Sequence, residues 1–134
     1  MDTMTPDGRS QRMSLVRSVD TKPEIFVRRL VFGMGYRYRL HCRDLPGKPD
    51  LVFRSRKAVI FVHGCFWHRH EGCSLARLPK SRVAFWTAKF EGNKVRDAAM
   101  TRALEAAGWR VLVVWECELK DKEALAVRLR RFLG

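Results

Sequence analysis

Four aliphatic residues in succession, Val111-Leu112-Val113-Val114, lie between Arg110 and Trp115 with no polar position among them. A strand with one face in water alternates apolar and polar residues, whereas an unbroken apolar run belongs to a strand buried on both faces. Such a strand needs a layer packed against each side, so the chain is expected to build a central sheet covered by helices. Ile25 to Val31 supplies one apolar helical face, opened by Thr21 and Pro23 and ended by Gly33 and Gly35. Tyr36 to Leu40 alternates large apolar and basic groups like a half-buried strand, and Pro46, Gly47 and Pro49 mark a turn. Leu51 to Phe53 and Ala58 to Val62 follow as adjacent antiparallel strands across Arg54-Ser55-Arg56-Lys57. Val83 to Phe90 and Lys94 to Ala107 read as two helices, the second stopped by Gly108. Lys122 to Phe132 is a closing helix capped by Asp121. The order helix, three strands, two helices, strand, helix defines a mixed α/β domain, with the strand order left open.

At 134 residues and 46% hydrophobic, the chain has material for one core. Residues 1 to 20 are polar and Arg/Ser-rich, which predicts a flexible basic arm ahead of a domain spanning 21 to 134. Lys and Arg number 27 against 14 Asp and Glu, a net charge of +13. That excess points to an acidic polymer as partner. No apolar stretch approaches the roughly 18 residues of a membrane span, and the opening carries no apolar signal core, so the expected location is the cytoplasm of a protein with no membrane partner. In that compartment the four cysteines, at 42, 65, 73 and 117, bind metal or stay reduced.

Residues 63 to 80 are rich in His, Cys, Gly and basic groups, a composition suited to a functional loop. Cys65, His70 and Cys73 form C-x4-H-x2-C, and Cys117 follows the last buried strand, where it can return to the same point. Four soft ligands make a closed tetrahedral zinc site, whose task is to staple a loop with little apolar material of its own. The competing reading has Cys65 and Cys117 as small buried residues and His70 solvated. Cys42 reads as an ordinary small apolar residue.

Pro49-Asp50 opens one strand of the hairpin, and the adjacent strand ends at Val62-His63. Nucleases of the PD-(D/E)xK type use such a hairpin to hold Mg2+ through oxygen ligands. The match by composition is incomplete, because position 62 is Val and position 63 is His where a Lys is usual. Taken alone, Pro49-Asp50 reads as a turn.

Four longer strings carry more: Asp44-Leu-Pro-Gly-Lys-Pro-Asp50, Val59-Ile-Phe-Val-His-Gly-Cys-Phe-Trp-His68, Phe85-Trp86, and Gly108-Trp-Arg-Val-Leu-Val-Val-Trp-Glu-Cys117. Together they resemble the very short patch repair endonucleases, bacterial enzymes that nick DNA beside a T:G mismatch left by deamination of 5-methylcytosine. The resemblance runs from about Met13 to the last helix. It implies a restriction-endonuclease-like single domain with a structural zinc site, using Mg2+ for catalysis. Asp50 matches the metal-binding carboxylate, and Val62 matches a position that offers its backbone carbonyl to Mg2+ and often carries Thr. His63 and His68 match the catalytic histidines, His68 as general base, a role suited to a group that titrates near neutral pH. Glu24, by itself a first-turn helix acid, matches a residue that orders the site. Cys65, His70, Cys73 and Cys117 match the zinc ligands.

Phe66 and Trp67 sit between a candidate ligand Cys and a His among basic groups. Aromatic residues so placed can wedge between base pairs where a mismatch has weakened the stack, or pack against the loop. The resemblance assigns them, with Met13, to intercalation, and Lys89 and Asn93 to contacts with the mismatched bases. Arm cations, Lys80, Arg82, Lys94 and Arg96 are candidate phosphate contacts. The expected function is a Mg2+-dependent nick 5′ of the mismatched T by a monomer acting on double-stranded DNA, with a mismatch-repair protein as a possible further partner. Two other readings stay open: a restriction-like or damage-directed endonuclease without T:G specificity, and a zinc-stabilised DNA-binding module without chemistry.

Overall fold

A computed structural model describes residues 21–40, 42–65, 68, 70, 73 and 81–134. The arm with Met13, the aromatic pair Phe66 and Trp67, and Lys80 lie outside the described residues. Among the described residues, no helix is long and apolar enough to cross a membrane.

Helix α1 (Lys22–Gly33) starts with a reciprocal cap: Glu24 N–H donates to Thr21 Oγ1, and the Glu24 carboxylate accepts from the Thr21 backbone N–H. Strands β1 (Arg39–Leu40), β2 (Leu51–Phe53), β3 (Ala58–His63) and β4 (Arg110–Trp115) form one sheet in the order β1-β2-β3-β4. The β2–β3 hairpin is antiparallel, as expected, whereas β3 and β4 run parallel, with Val62 opposite Val114 and His63 opposite Trp115. Helix α2 (Val83–Ala106) occupies the crossover between them, and helix α3 (Lys122–Leu133), capped by the Asp121 carboxylate, closes the chain.

The pleat divides β3 between two cores. Ala58 and Ile60 join Val27 and Val31 of α1 and Leu125 and Leu129 of α3, while Val59 and Phe61 join Leu104 of α2 and Trp109. His63 shares the α2 side with Phe61, its ring centroid 5.7 Å away. The alternation thus delivers a polar residue at the strand end to the α2 face. Gly47 is needed in the turn before β2: at φ +73, an added Cβ would meet Met100 Cβ at 2.9 Å.

Three expectations about the elements are corrected. The strand buried on both faces is β3, and among the described residues β4 is an edge strand, with only Val114 of its six residues buried. Only Arg39 and Leu40 of the Tyr36-to-Leu40 stretch pair in the sheet. Tyr36 N–H instead donates to Val31 O, and the Tyr38 hydroxyl donates to Arg28 O, so both tyrosines are tied back to α1. Finally, 83–106 is one helix running through Gly92, because a single helical glycine costs only about 1 kcal/mol against the long helix on either side.

Candidate active site

The ends of β3 and β4 and the middle of α2 converge on a cleft of about 550 Å³ whose lining includes His63, His68, Asp97, Lys94, Arg102 and Trp115. His68 Nδ1 lies 2.6 Å from Asp97 Oδ2. An ionised carboxylate can only accept, so Nδ1 carries the proton and Nε2 keeps the lone pair. The His63 and His68 rings stack at 3.8 Å with 7° between their planes. Burial first, then the neighbouring His68 charge, pulls the His63 imidazole down to about 4, against the pull of Asp97. His63 is therefore neutral at pH 7, and of the two rings it is His68 that makes the direct contact with the Asp97 carboxylate.

Asp97 is the residue that the sequence reading missed. It looks like one acid among the cations of a helix, yet a histidine base needs an orienting acceptor. Lys89, Asn93 and Asp97 are spaced i, i+4, i+8, which places them along one stripe of α2. Lys89 is exposed, and Asn93 is half-buried with its side-chain oxygen accepting from Arg96.

Asp50 stands just before β2, and its Oδ2 accepts from Val62 N–H at 2.6 Å, tying the carboxyl to the strand end that also carries His63. Glu24 is 2% exposed and Asp50 9%, so α1 presents a second buried carboxyl beside the first. Burial pushes Asp50 up to about 8; Glu24 adds to the rise, while the Val62 N–H and Arg28 oppose it. Glu24 is itself held by Thr21 and by Arg28 at 3.5 Å. Two desolvated carboxyls in contact form the oxygen-rich, charge-deficient setting that a hard divalent cation relieves.

At the part of the cleft wall that His70 forms, Cys65, His70, Cys73 and Cys117 bring their ligand atoms within 4.8 Å of one another. Cys65 Sγ and Cys117 Sγ lie 3.6 and 3.4 Å from His70 Nδ1. Burial pushes the Cys65 thiol up to about 12 and raises Cys117 too. Cys42 stands apart from this group, packed on the α2-side core. His63, His68 and Asp97 also come within 4.8 Å of one another, so their donor atoms could hold an ion as well.

The family described as DNA mismatch endonuclease Vsr matches residues 1–74. Type II nicking enzyme V.XorIIP of Xanthomonas oryzae pv. oryzae is 54% identical over 132 residues, covering 98% of this chain and 96% of that protein. Type II nicking enzyme V.NmeAIP of Neisseria meningitidis is 43% identical, covering 98% and 94%. DNA mismatch endonuclease Vsr of Escherichia coli is 42% identical over 117 residues, 87% of this chain and 74% of that protein. With the family matching more than half of the sequence and these relatives aligning over nearly all of it, the chain belongs to the Vsr family of DNA mismatch endonucleases and nicking enzymes.

Proposed function

We propose that this protein is a divalent-metal-dependent endonuclease that nicks double-stranded DNA 5′ of the T in a T:G mismatch. The observation that carries the reading is the Asp97–His68–His63 array in the cleft, joined through Val62 to the carboxyl pair of Asp50 and Glu24. His68 Nε2 accepts a proton from the attacking water, and Asp97 stabilises the imidazolium that results. Neutral, buried His63 fixes the plane of His68 by stacking. Asp50, with Glu24 beside it and the Val62 carbonyl as a further oxygen, would hold Mg2+, which supplies positive charge to the phosphate as negative charge builds in the transition state. Val in place of Thr at position 62 leaves that main-chain oxygen available.

The Cys65-His70-Cys73-Cys117 set fits zinc by its donor chemistry, sulfur and imidazole in a closed group of four. Cys117→Ala is expected to lose bound zinc, and the loss should lower Tm by about 10 °C or more, since metal binding here is folding energy. Metal analysis and a thermal melt check both; full zinc and an unchanged Tm would remove zinc from the account.

The core is assigned as restriction-endonuclease-like, carried by residues 21–134, with the basic arm 1–20 reaching DNA. Met13, Phe66 and Trp67 are the proposed wedge, and Lys89 and Asn93 read the mismatched bases from the same stripe of α2 that ends in Asp97. Lys89 and Asn93 share one face of α2 with Asp97, so base contacts made there would be held in register with the carboxylate that orients His68, which supports mismatch-directed chemistry over a restriction-like enzyme. A panel of duplexes carrying T:G, T:A, C:G or other mismatches in one context tests it. Nicking confined to T:G supports the proposal, and equal nicking across the panel favours the restriction-like reading.

A further inference from the structure

We propose that Trp115 is a positioning residue that holds the His63–His68 pair in place against the Cys/His centre. This inference rests on the nuclease reading for its rate measurement, but not for its spectroscopic one. The indole is flanked by both histidine systems. It stacks on the His70 ring at 4.2 Å with 6° between planes, and it meets His63 nearly at right angles, 5.3 Å between centroids and 77°. His63 in turn stacks on His68, which ends on Asp97. One continuous series of packed rings therefore runs from a candidate zinc ligand to the carboxylate that orients the base.

The backbone under the indole is pinned. Trp115 N–H donates to Glu118 Oε1 at 3.0 Å, and Arg128 grips the same carboxylate at 2.5 and 2.6 Å. One residue on, Glu116 Oε1 accepts from Cys65 N–H, tying the β4 end to the loop that follows β3. A rigid plane held at both ends can fix an imidazole by shape alone, and misplacement of a catalytic group by about 1 Å costs on the order of 100-fold in rate.

The test compares Trp115→Leu, which keeps an apolar side chain but no plane, with Trp115→Phe, which restores a ring. Trp115→Leu should nick a T:G duplex about 10- to 100-fold more slowly in a single turnover, with duplex Kd within about threefold and zinc content unchanged, and Trp115→Phe should recover most of the rate. With only four histidines in the chain, aromatic NMR spectra can follow each imidazole. The ring-to-ring NOEs between His63 and His68 should weaken in Trp115→Leu and return toward wild type in Trp115→Phe. An unchanged rate in Trp115→Leu overturns the inference, and so does loss of zinc and DNA binding together with the rate. If the wild type nicks no duplex, the nuclease reading fails, and the histidine spectra alone decide: unchanged His63–His68 NOEs in Trp115→Leu overturn the positioning role, and NOEs lost in Trp115→Leu but restored in Trp115→Phe sustain it.

Discussion

Asp50→Asn should reduce single-turnover nicking by about 1,000-fold or more while leaving affinity for the T:G duplex within a few-fold of wild type. Asn keeps the volume and an oxygen that can still accept from Val62 N–H, so the β2–β3 junction persists. What disappears is the negative charge that a divalent cation requires. The same variant reports on pH. Asp50 in the folded protein titrates near 8, above the 3.8 of a free Asp. A raised carboxyl contributes stability that is fully present below the unfolded value and is lost as pH rises through the folded one. In the absence of metal, wild type should therefore lose stability relative to Asp50→Asn between about pH 4 and pH 8. The Tm of the variant should exceed that of wild type at pH 8.5, with the gap closing toward pH 5. Added Mg2+ should raise the Tm of wild type only, and more at pH 8.5 than at pH 6.5, because below pH 8 the cation must displace a proton. Melts at three pH values, with and without Mg2+, check all of this; a variant nicking at near the wild-type rate would remove Asp50 from the active site.

Loss of the base itself should be nearly as severe. His68→Ala is expected to slow nicking by about 100- to 10,000-fold with zinc retained. His70→Ala, two positions away, should instead lose zinc and stability, since its Nδ1 faces the Cys65 and Cys117 sulfurs. Asp97→Asn separates orientation from charge: it keeps the side-chain shape but can present an N–H to Nδ1 and stabilise the wrong tautomer. It should cost about 100-fold in rate with little change in duplex Kd. Single-turnover rates beside gel-shift affinities and zinc content distinguish the three. A wild-type rate for Asp97→Asn would mean that the 2.6 Å contact is a structural hydrogen bond only.

Local chemistry made much of this legible in the sequence. The Thr21 and Asp121 caps, the β2–β3 hairpin and the Cys/His spacing depend on residues near one another, and the structure places each where the pattern puts it. The errors concern non-local choices. Val111 to Val114 is apolar enough for a central strand, but whether it lies at the centre or the edge depends on which strand it pairs with, and among the described residues its one partner is β3. Tyr36 and Tyr38 alternate like a strand yet spend their polar groups on α1. Asp97 was hidden for the same reason: its partner, His68, is 29 residues away, and only the crossover of α2 over the β3 end brings them together. Glu24 shows the reverse. Its first-turn position explains the cap to Thr21, and its closeness to Asp50 emerges only once α1 packs on the sheet.

Metal-dependent nicking of one strand at a T:G mismatch is measured by a single-turnover assay with each strand of the duplex labelled in turn. Reactions with Mg2+ and with EDTA are resolved to single nucleotides. One product is expected, from the T strand alone, cut 5′ of the mismatched T and bearing a 3′-hydroxyl and a 5′-phosphate, with no product in EDTA and none from the T:A duplex. Cleavage of both strands, equal cleavage of the T:A duplex, or full activity in EDTA would contradict it.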